Sequence, residues 1–259
     1  MKVTTPIPHR NVAEYVDRIL VIENSVIASS FSMPLFANGT PTLLFISSKA
    51  AIDGKATNYL TLFGQTVFPE TLTISNNFSL IAYFLKPFTL FSLFGVSAKE
   101  LTDYPIDLNL LQHAVANELR EKLLNAGTTE KMLQHLDEYI LALAMKSKSE
   151  TQIIRYAAGV ISKNPSKETL TKVQDKLCLT ERTFERLFDK TIGISPNLFR
   201  RVCQFNSAFQ QLSTRKFTSL TDLAFQNGYA DQSHFIRAFK EFTHITPRQY
   251  LKFGEPPAK

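Results

Sequence analysis

Metal-ligating and disulfide-forming residues are scarce in this sequence of 259 residues. It contains two cysteines, Cys178 and Cys203, which show none of the paired spacings of a disulfide framework. Three of its five histidines, His9, His113 and His135, lie in the first 149 residues, and none of them falls in a predicted strand. The sequence therefore predicts no metal site and no cofactor, and it favours a reducing compartment.

Long apolar runs are also missing, because no stretch approaches the eighteen or so residues of a membrane-spanning helix. The first residues show no basic segment followed by an apolar run, as a secretion signal would. From these two absences we expect a soluble, cytoplasmic protein without a membrane partner. The apolar fraction of 44% and the charged fraction of 20% are typical of a folded globular chain.

Positive charge is concentrated in the C-terminal part of the chain. Residues 1–149 contain 12 Lys and Arg residues against 13 Asp and Glu residues, whereas residues 150–259 contain 17 against 10. A basic part joined to a nearly neutral one favours a partner that carries phosphate groups. Many basic surfaces only keep a protein soluble, so the charge needs a motif beside it before it indicates nucleic-acid binding.

The first hundred residues have the pattern of a β-rich domain. Short segments rich in apolar, β-branched and aromatic residues alternate there with turn-forming residues, which predicts a small sandwich or barrel. The predicted strands are 18–23, 41–46, 59–63, 71–74 and 79–85. After about residue 108 apolar residues recur every three to four positions, which predicts two amphipathic helices within 108–146.

A polar segment at 146–149 coincides with the shift in charge, and we place a domain boundary there. The expected fold class is α+β with two domains, a β-rich domain with following helices at 1–148 and an all-helical domain at 149–259. Pro or Gly ends most helical segments of the second domain. Its predicted helices are 153–163, 169–177, 180–193, 196–212, 219–227 and 231–242, with a short turn from Pro247.

The helical part contains an internal repeat with an offset of 51 residues. Thr180 pairs with Asp231, and both residue types cap helix N-termini. Two amphipathic helices could share phenylalanines by chance, but not a cap, an arginine and a downstream proline in one frame. The identical pairs are Phe184 with Phe235, Arg186 with Arg237, Phe188 with Phe239, Ile194 with Ile245, and Pro196 with Pro247.

Each repeat has the pattern of a helix-turn-helix unit, at about 169–193 and 219–243. In the second unit Gly228 supplies the backbone freedom for the turn, and Asp231 caps the second helix. Since Phe235 and Phe239 face a core, other side chains of this helix are left for contacts with phosphates and base edges in a major groove. These are Gln232, Ser233, His234, Ile236 and Arg237.

The second helix of the first unit presents Arg182, Glu185 and Arg186 outward. Arg can donate paired hydrogen bonds to guanine, and Glu can accept one from cytosine. Glu185 also repels phosphate, and an ion pair with Arg182 or Arg186 within the helix is an equally good interpretation of this residue.

Residues 227–240 (NGYADQSHFIRAFK) and 246–250 (TPRQY) resemble the signature of the AraC/XylS family of bacterial transcription regulators. Residues 180–199 are similar to the upstream half of the same family, so the resemblance covers about 152–254. It implies that the second helices of both units enter successive major grooves of double-stranded DNA, joined by a long helix from Pro196. By position, the implied DNA contacts are Arg182, Glu185 and Arg186 in the first unit and Gln232, Ser233, His234, Ile236 and Arg237 in the second.

Three departures from the family pattern carry consequences. His244 stands where the family usually has Gly, so a residue with strained positive φ is expected. Gln204 replaces a usual Arg in the linking helix, which puts a DNA contact from this position in doubt. The first helix of the first unit, at 170–177, is more polar than is typical, so this unit is expected to read DNA less stringently.

The N-terminal part, through residues 81–88 and 93–96, resembles sensor domains of AraC-type regulators. The implied fold is a cupin-like barrel that senses a small-molecule effector or mediates dimerisation. A homodimer is expected, and the helices of 110–145 would form its contact. An equally good alternative is that these helices pack on their own β-domain. The resemblance also implies RNA polymerase as a possible further partner. If an effector pocket exists, it would be lined by phenylalanines of this domain. An ordinary hydrophobic core is the favoured interpretation of the same residues, which are Phe31, Phe36, Phe45, Phe63 and Phe84.

The expected function is therefore sequence-specific DNA binding by a transcription regulator under effector control. The alternative is a dimeric regulator that senses nothing. A metal-dependent cupin-type enzyme is disfavoured because the strand region lacks His and Cys ligands. An alkyl-acceptor repair protein would need a reactive thiolate, whereas Cys178 and Cys203 have the pattern of small apolar residues. No catalytic residue is predicted.

Overall fold

Strands fill most of the first half of the chain and helices the second, in the part that the computed structural model describes, residues 1–25, 30–147 and 152–253. The strands are β1 (Lys2–Thr4), β2 (Val16–Asn24), β3 (Phe31–Leu35), β4 (Thr42–Ile46), β5 (Ala50–Ile52), β6 (Lys55–Thr57), β7 (Leu60–Phe63), β8 (Glu70–Ile74), β9 (Phe78–Leu85) and β10 (Ile106–Asp107). The helices are α1 (Leu108–Leu111), α2 (His113–Leu124), α3 (Thr129–Lys146), α4 (Gln152–Lys163), α5 (Lys167–Lys176), α6 (Glu181–Ile192), α7 (Pro196–Ser213), α8 (Leu220–Gln226), α9 (Gln232–Thr243) and α10 (Pro247–Phe253). Two shorter helical segments, Leu90–Phe94 and Ala98–Leu101, lie between β9 and β10.

The strands form two antiparallel sheets. The larger has the order β1-β2-β9-β4-β7-β10 and the smaller the order β3-β8-β5-β6. Strand β9 lies in the middle of the larger sheet, where it pairs with β2 from Leu85 opposite Val16 to Phe78 opposite Asn24, and with β4 on its other side. Its central position accounts for its sequence, which is apolar at nearly every position because both faces of the strand are covered.

Alternate residues of β9 face two different cores, as the two-residue period of a strand requires. Leu80 and Ala82 pack with residues of the smaller sheet. Ile81 and Tyr83 pack on the other side, with residues of α2 and α3 and of the two short helical segments. The larger sheet is thus the middle of three layers. This arrangement confirms the predicted β-rich domain with following helices.

Each of the five predicted strands contains or overlaps an observed one, with ends that differ by at most two residues. The sequence analysis missed β1, β3, β5, β6 and β10. These strands are two to five residues long, so no periodic pattern can develop within them. Their backbone hydrogen bonds depend on partners elsewhere in the chain, such as β8 for β3.

The helical segment after the sheets differs from the prediction in its first half. The chain bends at Gln112 (φ −145°, ψ 64°), so the first predicted helix is divided into α1 and α2. Helix α2 buries Ala116, Leu119 and Leu123. Val115, which the predicted apolar pattern included, is exposed. Helix α3 matches the second predicted helix, and α2 and α3 both pack on their own sheet.

The C-terminal helices confirm the predicted double helix-turn-helix fold, with every predicted helix present and ends within two residues. Helix α7 joins the two units and lies between their cores. It contributes Phe199, whose ring centroid lies 5.4 Å from that of Phe188 in the first unit, and Phe205, at 5.6 Å from Phe239 in the second. All four rings are fully buried. The repeated phenylalanines therefore hold both units to one linking helix.

The predicted domain boundary at 148/149 lies outside the described residues. On either side of it, the described chain separates into the sheets with α1 to α3, and the helices α4 to α10. The division into 1–148 and 149–259 remains a prediction.

Candidate nucleic-acid interface

Local hydrogen bonds shape the second helix-turn-helix unit. The Ser219 hydroxyl accepts a hydrogen bond from the backbone N–H of Asp222 (3.0 Å) at the start of α8. Gly228 has a φ of +74°, which a residue with a side chain adopts only with strain. Asp231 then caps α9, since its carboxylate accepts from the backbone N–H of His234 (2.6 Å). The predicted capping residue is thus confirmed in its position.

The predicted contact residues of α9 lie on its accessible surface. Ser233, His234 and Arg237 are exposed, whereas Gln232 and Ile236 are half-buried. The Gln232 Oε1 atom accepts a hydrogen bond from the Thr221 hydroxyl of α8 (2.9 Å), which holds this side chain between the two helices. None of the five residues is packed inside the protein.

His234 is held in place by its own unit. Its Nδ1 atom accepts from the backbone N–H of Ala230 (3.4 Å), and its ring packs edge-on against Tyr229 with centroids 5.3 Å apart. The neutral ring then carries its proton on Nε2, so this nitrogen can donate to an acceptor outside the protein.

In the first unit the Thr180 hydroxyl caps α6 by accepting from the backbone N–H of Thr183 (3.3 Å). Arg182, Glu185 and Arg186 are all exposed. Among the described residues no ion pair joins Glu185 to either arginine, so the intrahelical pairing considered from the sequence is not formed. Both arginines therefore remain available for a partner.

Two of the three departures from the family pattern have visible structural outcomes. His244 ends α9 with a φ of +61°, in the left-handed region expected where the family has Gly. Gln204 is buried in α7 and donates through Nε2 to the backbone carbonyl of Asn227 (2.9 Å) in the turn of the second unit. Its side chain thus joins the linking helix to that unit and does not reach toward the solvent.

The end of α6 packs on the N-terminal domain. The Lys99 ammonium pairs with Asp189 (2.8 Å), and the Thr102 hydroxyl donates to the carbonyl oxygen of Gly193 (2.8 Å). A Cβ atom at Gly193 would lie 2.6 Å from the Thr102 oxygen and 2.7 Å from the Ala98 carbonyl. Glycine is therefore required here both by a φ of +100° and by the contact with the other domain.

A cavity of about 440 Å³ lies where the two domains meet. Of the phenylalanines predicted to line an effector pocket, Phe36, Phe63 and Phe84 line this cavity. The other two lie elsewhere: Phe31 packs against Phe78, and Phe45 is fully buried in the core beside the helices. The C-terminal domain closes the cavity with α7 and α10, and its lining residues there are Asn206, Phe209, Gln210 and Tyr250.

Arg18 is the one charged residue that lines this cavity among the described residues. Its guanidinium lies against the Phe84 ring, and Asp17 is its ion-pair partner at 3.5 Å. Burial lowers the pKa of Arg18 despite Asp17, although the group stays protonated at any physiological pH. The sequence analysis missed this residue, but a charge on the strand face shared with Leu20 and Ile22 was a signal for it.

The cysteines have different environments. Cys178 is exposed with a φ of +52°, which corrects its interpretation as a small apolar residue. Burial raises the pKa of the Cys203 thiol to about 12, and so this group is not a thiolate near neutral pH. Across 1–25, 30–147 and 152–253, no three His, Cys, Asp or Glu side chains lie close enough together to hold a metal ion. None of the helices described is both long and apolar enough to cross a bilayer.

Two known protein families each match a different part of the chain. Residues 174–252 match the family described as "Helix-turn-helix domain", and residues 4–107 match "Domain of unknown function (DUF6597)". An uncharacterized HTH-type transcriptional regulator from Staphylococcus aureus (strain COL) is 31% identical over 90 residues, which make up 35% of this chain. Those residues make up 12% of that protein, so this chain spans about an eighth of the length of the Staphylococcus aureus relatives that it matches.

Solved structures with the same architecture include ToxT from Vibrio cholerae. ToxT O395 bound to (E)-4-(8-methylnaphthalen-1-yl)but-3-enoic acid is 12% identical, with a TM-score of 0.53, and the match covers 88% of this chain and 98% of that one. Unsaturated fatty acid bound wild-type ToxT from strain SCE256 is 13% identical, with a TM-score of 0.50 and coverage of 90% and 94%. At these identities the likeness shows a common two-domain fold.

Proposed function

We propose that this chain, whose C-terminal part is a helix-turn-helix domain of the AraC type, binds double-stranded DNA and regulates transcription. Helices α6 and α9 would each enter a major groove, on the two sides of the linking helix α7. Residues 149–259 would form the DNA-binding domain, and residues 1–148 a sensor and dimerisation domain. No catalytic role is proposed for any residue.

One observation carries this proposal, namely the repeated division of α6 and α9 into a buried aromatic side and an exposed polar side. Phe184 and Phe235 are fully buried at equivalent positions, while Arg186 and Arg237, two residues further on, are exposed in both units. A hydrophobic core explains the two buried phenylalanines but not the two exposed arginines. Exposed arginines beside a capped helix N-terminus suit hydrogen bonds to guanine and to phosphate oxygens.

The eight predicted contact residues receive roles on this basis. Arg182, Arg186 and Arg237 would donate to guanine or phosphate, and Glu185 would accept from cytosine. Ser233 and His234 would contact phosphates or base edges near the start of α9. Gln232 and Ile236 are half-buried. Gln232 would be positioned by the hydrogen bond that it accepts from Thr221, and Ile236 would make an apolar contact with a thymine methyl group.

Selection of bound sequences from a random DNA pool tests the proposal with the full chain. We expect two short half-sites about one helical turn apart. Enrichment of a single half-site would contradict a role for both units. If no sequence were enriched and no salt-dependent binding to DNA were detected, the chain would not be a DNA-binding protein.

The second part of the proposal concerns the cavity between the domains. We propose that it binds a small effector with an apolar body and one anionic group, such as a long-chain carboxylate. Its wall is mostly apolar, with a few amide and hydroxyl side chains and Arg18 as the one charged residue among the described residues, so an anion would find one cation at the edge of a mainly apolar volume. The compounds named with both ToxT structures are carboxylic acids, which supports the same ligand class for this cavity.

An occupant of the cavity would touch both domains. Phe36 packs edge-on against Phe209 of α7 with ring centroids 5.4 Å apart, and Asn206 donates to the Asn38 carbonyl (3.3 Å). A ligand here would thus alter contacts of the helix that joins the two units. We expect oleate to change the affinity of the full chain for its selected DNA site, measured by fluorescence anisotropy. An affinity unaffected by bound oleate would favour a regulator that senses nothing.

Two further partners remain proposals. A homodimer would use the exposed apolar side chains of α1 and α2, which include Leu110 and Val115. Sedimentation of the Val115→Glu variant would then give a monomer where the unmodified chain gives a dimer. A regulator that raises transcription would also contact RNA polymerase, and a cytoplasmic location in a bacterium would follow from these partners.

A further inference from the structure

A second cavity lies inside the C-terminal part, between the two helix-turn-helix units. This inter-unit cleft has a volume of about 770 Å³. One wall is the connection from α4 to α5 (163–167), the opposite wall is the turn between α8 and α9 (225–229), and α7 contributes Asn197, Arg200 and Gln204. Of the predicted DNA contacts only His234 also lines the cleft, so its opening adjoins the start of α9.

The charged residues that line the inter-unit cleft are all basic. Lys163, Lys167, Arg200 and Arg201 line it, and no Asp or Glu of the described chain does. Glu241 pairs with Arg201 from outside the lining and balances one of these charges. The other three cations have no carboxylate partner within salt-bridge distance among the described residues. The cleft therefore has a surplus of positive charge.

Arg200 is the most deeply placed of these cations, with 7% of its surface exposed. Its guanidinium donates to the Asn197 side chain (3.2 and 3.3 Å), to the Pro165 carbonyl (3.3 Å) and to Gln204 Oε1 (3.0 Å). All these acceptors are neutral, so the guanidinium has hydrogen-bond partners but no negative charge beside it to balance its own. Burial and the neighbouring charge of Arg201 both lower the pKa of Arg200. A buried cation without an anion is costly, and a bound anion would remove that cost.

Tyr229 is the second sign of a ligand. Only 4% of its surface is exposed, and its hydroxyl has no hydrogen-bond partner among the described residues. Tyr229 lines the cleft together with Arg200 and Arg201, and the charges of both arginines, opposed in part by Glu241, act on its hydroxyl. Buried hydroxyl groups in proteins are nearly always hydrogen-bonded, and one left without a partner therefore needs an explanation.

We propose that the inter-unit cleft binds a phosphate group, which accepts a hydrogen bond from Tyr229 and balances the charge of Arg200. A phosphate suits this site better than a single carboxylate because it carries more charge and more acceptor oxygens, and three unbalanced cations line the cleft. The phosphate comes either from the DNA backbone between the two half-sites or from a free phosphorylated molecule. A phosphate from the DNA backbone (the DNA source) rests on the proposed function, whereas a phosphate from a free molecule (the free source) does not.

The free source is tested by thermal unfolding of the full chain in rising concentrations of inorganic phosphate, with ionic strength held constant by sodium chloride. The variant is Tyr229→Phe, which removes only the hydroxyl that lacks a protein partner. Its matched control is Tyr156→Phe, in a partly exposed side chain outside the cleft. We expect phosphate to raise the melting temperature of the unmodified chain and the control, and the Tyr229→Phe variant to lose most of that rise. Without phosphate, all three should melt at similar temperatures because no protein hydrogen bond is lost.

The DNA source is tested by the salt dependence of DNA binding. If a backbone phosphate enters the cleft, Lys167→Gln should reduce the slope of log K against log [salt] by about 0.9, the contribution of one phosphate contact. Tyr229→Phe should then lower DNA affinity about 3- to 10-fold at one salt concentration. Lys131→Gln, an exposed site on α3, is the control and should change nothing.

The outcomes separate the two sources. A phosphate response that depends on Tyr229, with unchanged DNA binding, supports a free phosphorylated ligand, and it would do so even if the chain bound no DNA and the proposed function failed. A changed DNA affinity and salt slope without that response supports the DNA backbone. The proposal is overturned if Tyr229→Phe alters neither the phosphate response nor the DNA affinity.

Discussion

Arg18 and Phe84 are direct cross-strand partners on β2 and β9, and the guanidinium carbon of Arg18 lies 4.0 Å from the centroid of the Phe84 ring. This cation–π contact holds the cation at the edge of the cavity between the domains. Contact with the ring occupies one face of the guanidinium and one N–H group points to Asp17 (3.5 Å), so the remaining in-plane N–H groups can donate to a ligand. The geometry therefore orients a positive charge toward an apolar volume.

Replacing Arg18 by Leu should remove the preference of the cavity for an anion. The unmodified chain should be stabilised more by oleate than by oleyl alcohol, because only the carboxylate can pair with Arg18. In Arg18→Leu the two compounds should stabilise equally, as measured by thermal unfolding at matched concentrations. Arg10→Leu, at an exposed position in the same domain, should retain the preference. A preference that survives in Arg18→Leu would remove this residue from the effector proposal.

Replacing Arg237 by Ala should weaken specific DNA binding by about 10- to 100-fold, or about 1–3 kcal/mol, the usual worth of an arginine contact to guanine. The side chain is exposed, so the melting temperature should stay the same. Lys240→Ala, an exposed cation further along the same helix, serves as the control for general charge effects. An affinity for the selected site that is unchanged in Arg237→Ala would count against the role given to α9.

Replacing Phe235 by Ala should destabilise the C-terminal domain by about 3–5 kcal/mol, the cost of emptying an aromatic core site. Its ring is fully buried, with centroids 5.3 Å from Tyr229 and 5.8 Å from Phe239. Phe225→Ala is the matched control, because that ring is 58% exposed and its loss should cost about 0.5 kcal/mol or less. Urea denaturation measures both free energies of unfolding. Equal losses in the two variants would mean that the buried side of α9 is wrongly assigned.

Glu70 should make the stability of the N-terminal domain depend on pH. Burial raises the pKa of this carboxyl to about 7, and the negative charges of Asp53 and Asp103 act in the same direction. The folded state then binds a proton more tightly than the unfolded state. This contribution is complete below the unfolded pKa of about 4.5 and is lost as the pH rises through about 7.

Glu70→Gln removes this dependence because its side chain never ionises. We expect the variant to be more stable than the unmodified chain at pH 8 by about 1 kcal/mol, a value reduced for solvent screening of a half-buried group, and to match it near pH 4.5. Thermal unfolding across pH 4.5–8 measures the difference. If the advantage of Glu70→Gln were the same at both ends of this range, the carboxyl would not titrate with the raised pKa.

Local patterns account for most of what could be predicted in the C-terminal domain. Caps such as Thr180 and Asp231, and the glycine at 228, act within a few residues of their own helix, so they can be recognised without knowing the fold. The repeat added a second copy of each signal. The N-terminal domain was predictable only where strands were long enough to show a pattern, as in β2 and β9.

The residues that line the cavities were harder to predict. Arg18 and Phe36 line one cavity together with Tyr250, more than 200 positions away in the chain. Arg200 and Tyr229 share the inter-unit cleft because Gln204 and Asn227 join α7 to the second turn. No period or spacing in the sequence records such neighbours, since they depend on how whole elements pack.

The helix-turn-helix units, their caps, and the buried sides of α6 and α9 could be read from the amino-acid sequence, because each of these follows from interactions between residues close together in the chain. The contact of Gly193 with Thr102, the cavity at Arg18 and the surplus of positive charge around Arg200 emerged only from the folded chain. Burial and electrostatic surroundings are properties of a position in space. Residues distant in sequence create them, and they exist only once the elements have packed.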